Sequence, residues 1–90
     1  MNAMKAQDRA EMRAARQAEL DACLDGSWPR DINDQMRWLR APTSPFLSAR
    51  ANRRIEQEHA ARICQSEIDY LDGINQRIAA GDPDLHGWEA

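Results

Sequence analysis

The sequence predicts an all-α protein, a helical hairpin or three-helix bundle with a long C-terminal helix, paired with a second copy. Three observations carry that expectation. Residues 3–24 contain no Gly or Pro and are dense in Ala, Arg, Glu, Gln and Met, all good helix formers. From Pro45 to Ala80 only Gly73 interrupts a second such run. The segments between and after, "DGSWP", "APTSP" and "GDPDLHGWEA", collect the Pro and Gly that stop helices.

The first helix is expected over residues 3–24. Its alanines at 3, 6, 10, 14, 18 and 22 recur every three or four residues, a small-residue stripe that lets a second backbone approach closely. Gly26 suits the left-handed conformation at a helix C-terminus, and Pro29 cannot continue the ladder but suits the first turn of the next helix. A short second helix is expected over 31–40, with Ile32, Met36 and Leu39 on one face, Asp31 as cap and Asp34 near its positive end. Ser44 followed by Pro45 reads as a cap and first position, so the third helix is expected over 45–80. Gly81 and Pro83 end it, leaving residues 81–90 as a polar tail to a single domain of residues 1–80.

Ninety residues bury a small core, and this one is poor in large apolar side chains, because valine is absent and much of the 42% hydrophobic content is alanine. Thin burial is the reason to expect a homodimer through the third helix. Cys23 and Cys64 fall inside predicted helices and no signal peptide precedes them, so both are expected as reduced thiols in a cytoplasmic protein. No stretch has the length of a membrane span.

Stepping about 100° per residue along the third helix places Cys64, Ile68, Leu71, Ile74 and Ile78 in one arc, and Glu67 inside it. A carboxylate there needs a partner, a raised pKa or access to water, and Arg9, Arg13 and Arg16 of the first helix are the available partners. The start of the same helix breaks the pattern. Arg50, Arg53 and Gln57 occupy the apolar arc, while Ile55 points the other way with Ala51, so this part is expected either to extend into a dimer mate or toward another protein, or to be packed by the short second helix.

Net charge is −3, but it is unevenly placed. Residues 30–54 carry six arginines against Asp31 and Asp34, whereas residues 56–90 carry eight acids against Arg62 and Arg77. Two binding surfaces follow: the segment Arg50, Arg53, Arg54 with Ile55, and the acidic run Glu67, Asp69, Asp72. Trp88 near the end adds a candidate partner contact, while Trp28 and Trp38 are expected to cover the core.

Chemistry is poorly supported. Glu56 and His59 form half of a di-metal bundle motif without the second half, and "DPDLH" matches no calcium-loop spacing, so neither metal nor cofactor is expected. There is no phosphate-cradling Gly-rich loop and no nucleophile with an identifiable base. The expected function is a non-enzymatic interaction module: a small regulator, adaptor or inhibitor that occupies a partner's surface. An acidic helix suits the basic groove of a nucleic-acid-handling protein, the mode of small inhibitors from mobile elements. The alternative is a helix-turn-helix reader of nucleic acid, with Ser48, Arg50, Asn52, Arg53 and Arg54 presented at the start of the third helix.

Overall fold

A computed structural model describes residues 4–37 and 41–88, with side chains throughout except at 35–37. Three helices occur among them, α1 (Ala6–Asp25), α2 (Ile32–Arg37) and α3 (Ala49–Ala79), followed by a short 3₁₀ turn, Pro83–Leu85. No strand occurs among the described residues. Trp38, Leu39 and the end expected for the second helix at residue 40 lie outside the described residues, as do Ala3 and the final two positions of the tail.

α1 ends at Gly26, whose φ of 85° is the left-handed cap that glycine adopts without a Cβ clash. Beyond it the Trp28 amide turns back to the Ala22 carbonyl at 3.1 Å. That bond brings the Trp28 ring under the helix, where it is buried against Ala22, Cys23 and Ala60. Asp31 caps α2 through the amides of Asn33 (2.9 Å) and Asp34 (3.1 Å). Pro29 takes no part in that first turn, because α2 begins at Ile32.

α3 begins at Ala49, later than the Ser44–Pro45 start read from the sequence. Ser48 is the residue that caps it, its Oγ accepting from the Ala51 amide at 3.1 Å. The reason lies in Asn52, whose side-chain amide holds both backbone groups of Ser44: the Ser44 amide donates to Oδ1 at 3.0 Å, and Nδ2 donates to the Ser44 carbonyl at 2.8 Å. Ser44 is thereby clamped outside the helix as the end of the returning loop. Gly73 does not interrupt α3, which runs unbroken for 31 residues. The chain after Gly81 is ordered by an Asp82 carboxylate that accepts from Arg77 Nε at 2.7 Å and from the Asp84 amide at 2.9 Å.

α1 and α3 pack antiparallel. The seam on α1 runs Arg9, Arg13, Arg16, Leu20, Cys23, alternating steps of four and three as in a coiled coil. On α3 it runs Gln57, Ala60, Cys64, Glu67 with Ile68, Leu71, and Ile74 with Asn75. One half is apolar, with Leu20, Cys64 and Ile68 in contact and Cys23, Ala22, Trp28 and Ala60 next to them. The other half is polar on the α1 side. Arg9 Nε donates to Asn75 Oδ1 at 2.9 Å, Arg13 forks onto Asp72 at 2.6 and 3.1 Å, and Arg16 pairs with Glu67. Leu71 and Ile74 are nonetheless buried there, opposite a stretch of α1 that carries alanines and arginine stems instead of large apolar groups.

The molecule is a rod of 50 × 20 × 18 Å with a radius of gyration of 16.0 Å, against about 12 Å for a compact chain of this length. The excess comes from α3, which at about 1.5 Å per residue spans most of the long axis. Gln57 Nε2 reaches the Cys23 carbonyl at 2.5 Å, so the last turn of α1 is level with Gln57. The start of α3, from Ala49 to about Arg54, therefore projects past the end of α1 at Asp25. No helix is long and apolar enough to cross a membrane among the described residues.

Candidate interaction groove

The projecting end of α3 forms one wall and the floor of an open groove of about 930 Å³. Leu47, Ala51 and Ile55 lie four residues apart along it and supply the apolar floor. Gly26, in the turn after α1, closes one side, and a Cβ built there meets nothing within 4 Å. Arg50, Arg53, Arg54 and Glu58 stand around the rim. Phe46, next in the chain to Leu47, is 95% exposed, and Leu24 in the last turn of α1 is 75% exposed.

Two local forces hold this segment in shape. The Asn52–Ser44 clamp fixes the loop that carries Leu47, and the Ser48 cap fixes where the helix starts. The rim charges are loosely engaged. Arg54 Nε is 3.4 Å from Glu58 Oε1, both side chains being mostly exposed, and Arg53 Nε is 3.3 Å from Glu56 Oε2 without hydrogen-bond geometry at that oxygen. An exposed pair such as Arg54–Glu58 contributes about 0 to 1 kcal/mol, so Arg54 can change partners at little cost, whereas the Glu56 Oε2 beside Arg53 is buried.

Of the residues read from the sequence as a binding surface, the fold thus brings Arg50, Arg53, Arg54 and Ile55 together. The acidic group is placed differently. Glu67 pairs with Arg16 and Asp72 with Arg13 in the α1–α3 seam, while Asp69 faces outward, accepting from Gln65 Nε2 at 2.9 Å. The Arg13 fork holds the Asp72 carboxyl below its ordinary range through its hydrogen bonds, with charge attraction adding to them. Trp88 lies against the body with the Arg9 guanidinium 5.9 Å from its ring centroid, at the end of the rod opposite the groove. A smaller hollow of about 330 Å³ sits beside it, lined by Ala6, Arg9, Ala10, Asn75, Ile78 and Ala79.

Two buried carboxylates escape a reading of the sequence. Glu19 is fully buried and accepts from the Trp28 indole at 3.1 Å. Asp34 is 1% exposed and is gripped by Arg30, whose amide, Nε and Nη2 donate at 2.9, 2.8 and 2.8 Å. Neighbouring Leu20 in the seam was the available signal for Glu19, and a buried indole N–H in search of an acceptor was the other. The exposed Leu24, Phe46 and Leu47 carry no periodic signal at all.

The helix-turn-helix reading required a short turn between the second and third helices. Residues 41–48 are all non-helical, twice the three or four residues such a turn uses. No cluster of three metal-ligating side chains occurs among the described residues. The chain matches no family model, no curated protein and no solved structure.

Proposed function

We propose that the protein is a non-enzymatic interaction module of the cytoplasm, a small regulator, adaptor or inhibitor that acts by seating a partner in the groove at the projecting end of α3. The observation that carries this reading is the groove itself, where an apolar floor of Leu47, Ala51 and Ile55 sits inside a rim of Arg50, Arg53 and Arg54. A helix end that leaves its own bundle, with exposed Leu24 and Phe46 beside it, presents the mixture of apolar core and polar rim that protein interfaces use. Direct nucleic-acid reading is the weaker alternative, because the exposed Glu58 stands among the arginines and would face the same phosphates.

A photo-crosslinking residue placed at Arg50, compared with one at exposed Gln65, tests the proposal in the native host. A discrete heterologous adduct from position 50, absent from position 65 and lost on Ile55→Asp, is the expected result. Equal labelling from both positions, or steeply salt-dependent binding of duplex DNA that needs Arg50 and Arg54, overturns it. Pairing of two copies along α3 is a companion proposal supported by the thin core. Light scattering that finds a monomer independent of concentration removes it.

A further inference from the structure

Resting on the interaction reading above, we propose that the occupant of the groove is an acidic amphipathic helix of another protein. The floor and rim specify both halves of that description. Leu47, Ala51 and Ile55 make one ridge from residue 47 to residue 55, with the small Ala51 between two larger side chains, leaving a notch. At about 1.5 Å per residue the helical part of the lining, from Arg50 to Glu58, is roughly 12 Å long, a little over two helical turns, and Leu47 extends it beyond the helix start. A helix laid in it offers apolar anchors at i, i+3 or i+4, and i+7, with the middle one seated over Ala51.

Charge selects the sign of the rest. The lining holds Arg50, Arg53 and Arg54 against Glu58 alone, an excess of positive charge in a protein whose net charge is −3. The exposed pair of Arg54 with Glu58 does not neutralise that rim firmly, and guanidinium groups form paired bonds to carboxylates. A carboxylate-bearing polar face flanking the apolar anchors meets that rim.

Two other occupants fit less well. A nucleic-acid backbone would cover the apolar floor without using it and would meet Glu58. A second copy of this chain would have to offer its acidic turns, yet Glu67 and Asp72 are already held by Arg16 and Arg13, which leaves Asp69 as the outward-facing acid of that run.

The test uses the full chain and a fluorescein-labelled synthetic helix of about 18 residues, with leucines on one face and glutamates on the other, read by anisotropy. Controls are the same peptide with lysine for glutamate, and a scramble that keeps composition but breaks the apolar stripe. The acidic peptide should bind about tenfold or more tightly than either control, weakening as salt is raised. Ile55→Asp should reduce its affinity about tenfold or more, with helicity by circular dichroism unchanged. Arg50→Glu with Arg54→Glu should reverse the preference toward the lysine peptide, an outcome that misfolding cannot produce. Equal affinity for all three peptides, no binding of the acidic one, or displacement of it by duplex DNA overturns the proposal. So does self-association that disappears on Ile55→Asp, since a second copy is then the occupant. If the acidic peptide fails while the crosslinked partner persists, only the chemistry of the occupant is refuted; loss of both refutes the interaction reading as well.

Discussion

The indole Nε1 of Trp28 donates to Glu19 Oε2 at 3.1 Å, with both side chains buried beneath the last turns of α1. This bond joins the turn after α1 to the seam, and it supplies a donor to a carboxylate that water does not reach. Replacing Trp28 with Phe keeps much of the ring volume but removes the donor. Such a loss at a buried acceptor costs about 1 to 3 kcal/mol, and thermal unfolding followed by circular dichroism should show a fall of roughly 4 to 8 °C per kcal/mol. A melting temperature unchanged by Trp28→Phe contradicts this account.

The Arg16–Glu67 ion pair is less exposed than Arg13–Asp72, at 18% and 30% side-chain exposure against 40% and 39%. Glu67→Ala should therefore cost more than the roughly 1 kcal/mol ceiling of a fully exposed pair and less than the about 3 to 5 kcal/mol of breaking a buried one. Exchanging the two charges, Arg16→Glu with Glu67→Arg, should restore most of the stability lost in either single change. Chemical denaturation of the four proteins measures the coupling.

Asp72 gives the seam a pH dependence of known sign. Its carboxyl titrates below the ordinary value of 3.8 because Arg13 bonds to the ionised form. The contribution is therefore fully present above that value and is lost as pH falls through the lowered folded one. Asp72→Asn should be less stable than the parent at pH 7, with the gap narrowing once pH is taken below 3.8. Melting curves across that range decide it.

The two core thiols predict the alkaline behaviour. Burial pushes Cys23 up to about 11 and Cys64 to about 12, with the nearby Glu19 charge adding to the effect at both. In the folded protein both stay protonated where an unfolded thiol ionises, so stability falls as pH rises above 9.0 and keeps falling toward 12. Cys64→Ala should flatten part of that decline. At neutral pH both thiols should react with a disulfide reagent slowly in buffer and rapidly in denaturant.

Ser48 and Ser44 compete as caps, and the fold chooses Ser48. Ser48→Ala should cost about 0.5 to 2 kcal/mol, the range for losing a helix cap, and should increase amide exchange in the first turn of α3. Ser44→Ala should do less to α3, because the clamp from Asn52 acts on the Ser44 backbone and survives the change. The opposite ranking returns the helix start to Pro45.

Local chemistry alone was enough for the helical class, for the stop at Gly26 and for the oddity of Glu67. Each depends on propensity, glycine's left-handed conformation or the 100° step, all properties of a few consecutive residues. The same wheel named Arg16 among three possible partners for Glu67, but choosing it required the antiparallel register of α1 on α3. Register also decided that Arg13 takes Asp72 and that the last turn of α1 lies level with Gln57, which is what leaves Arg50 to Arg54 projecting. Glu19 is bonded by Trp28 from the turn after α1, a relation no periodicity encodes, whereas Asp34 is held by Arg30 four residues earlier. Tertiary packing thus selected among options that the sequence left equal, because burying a charge or ending a helix depends on which distant group supplies the missing hydrogen bond.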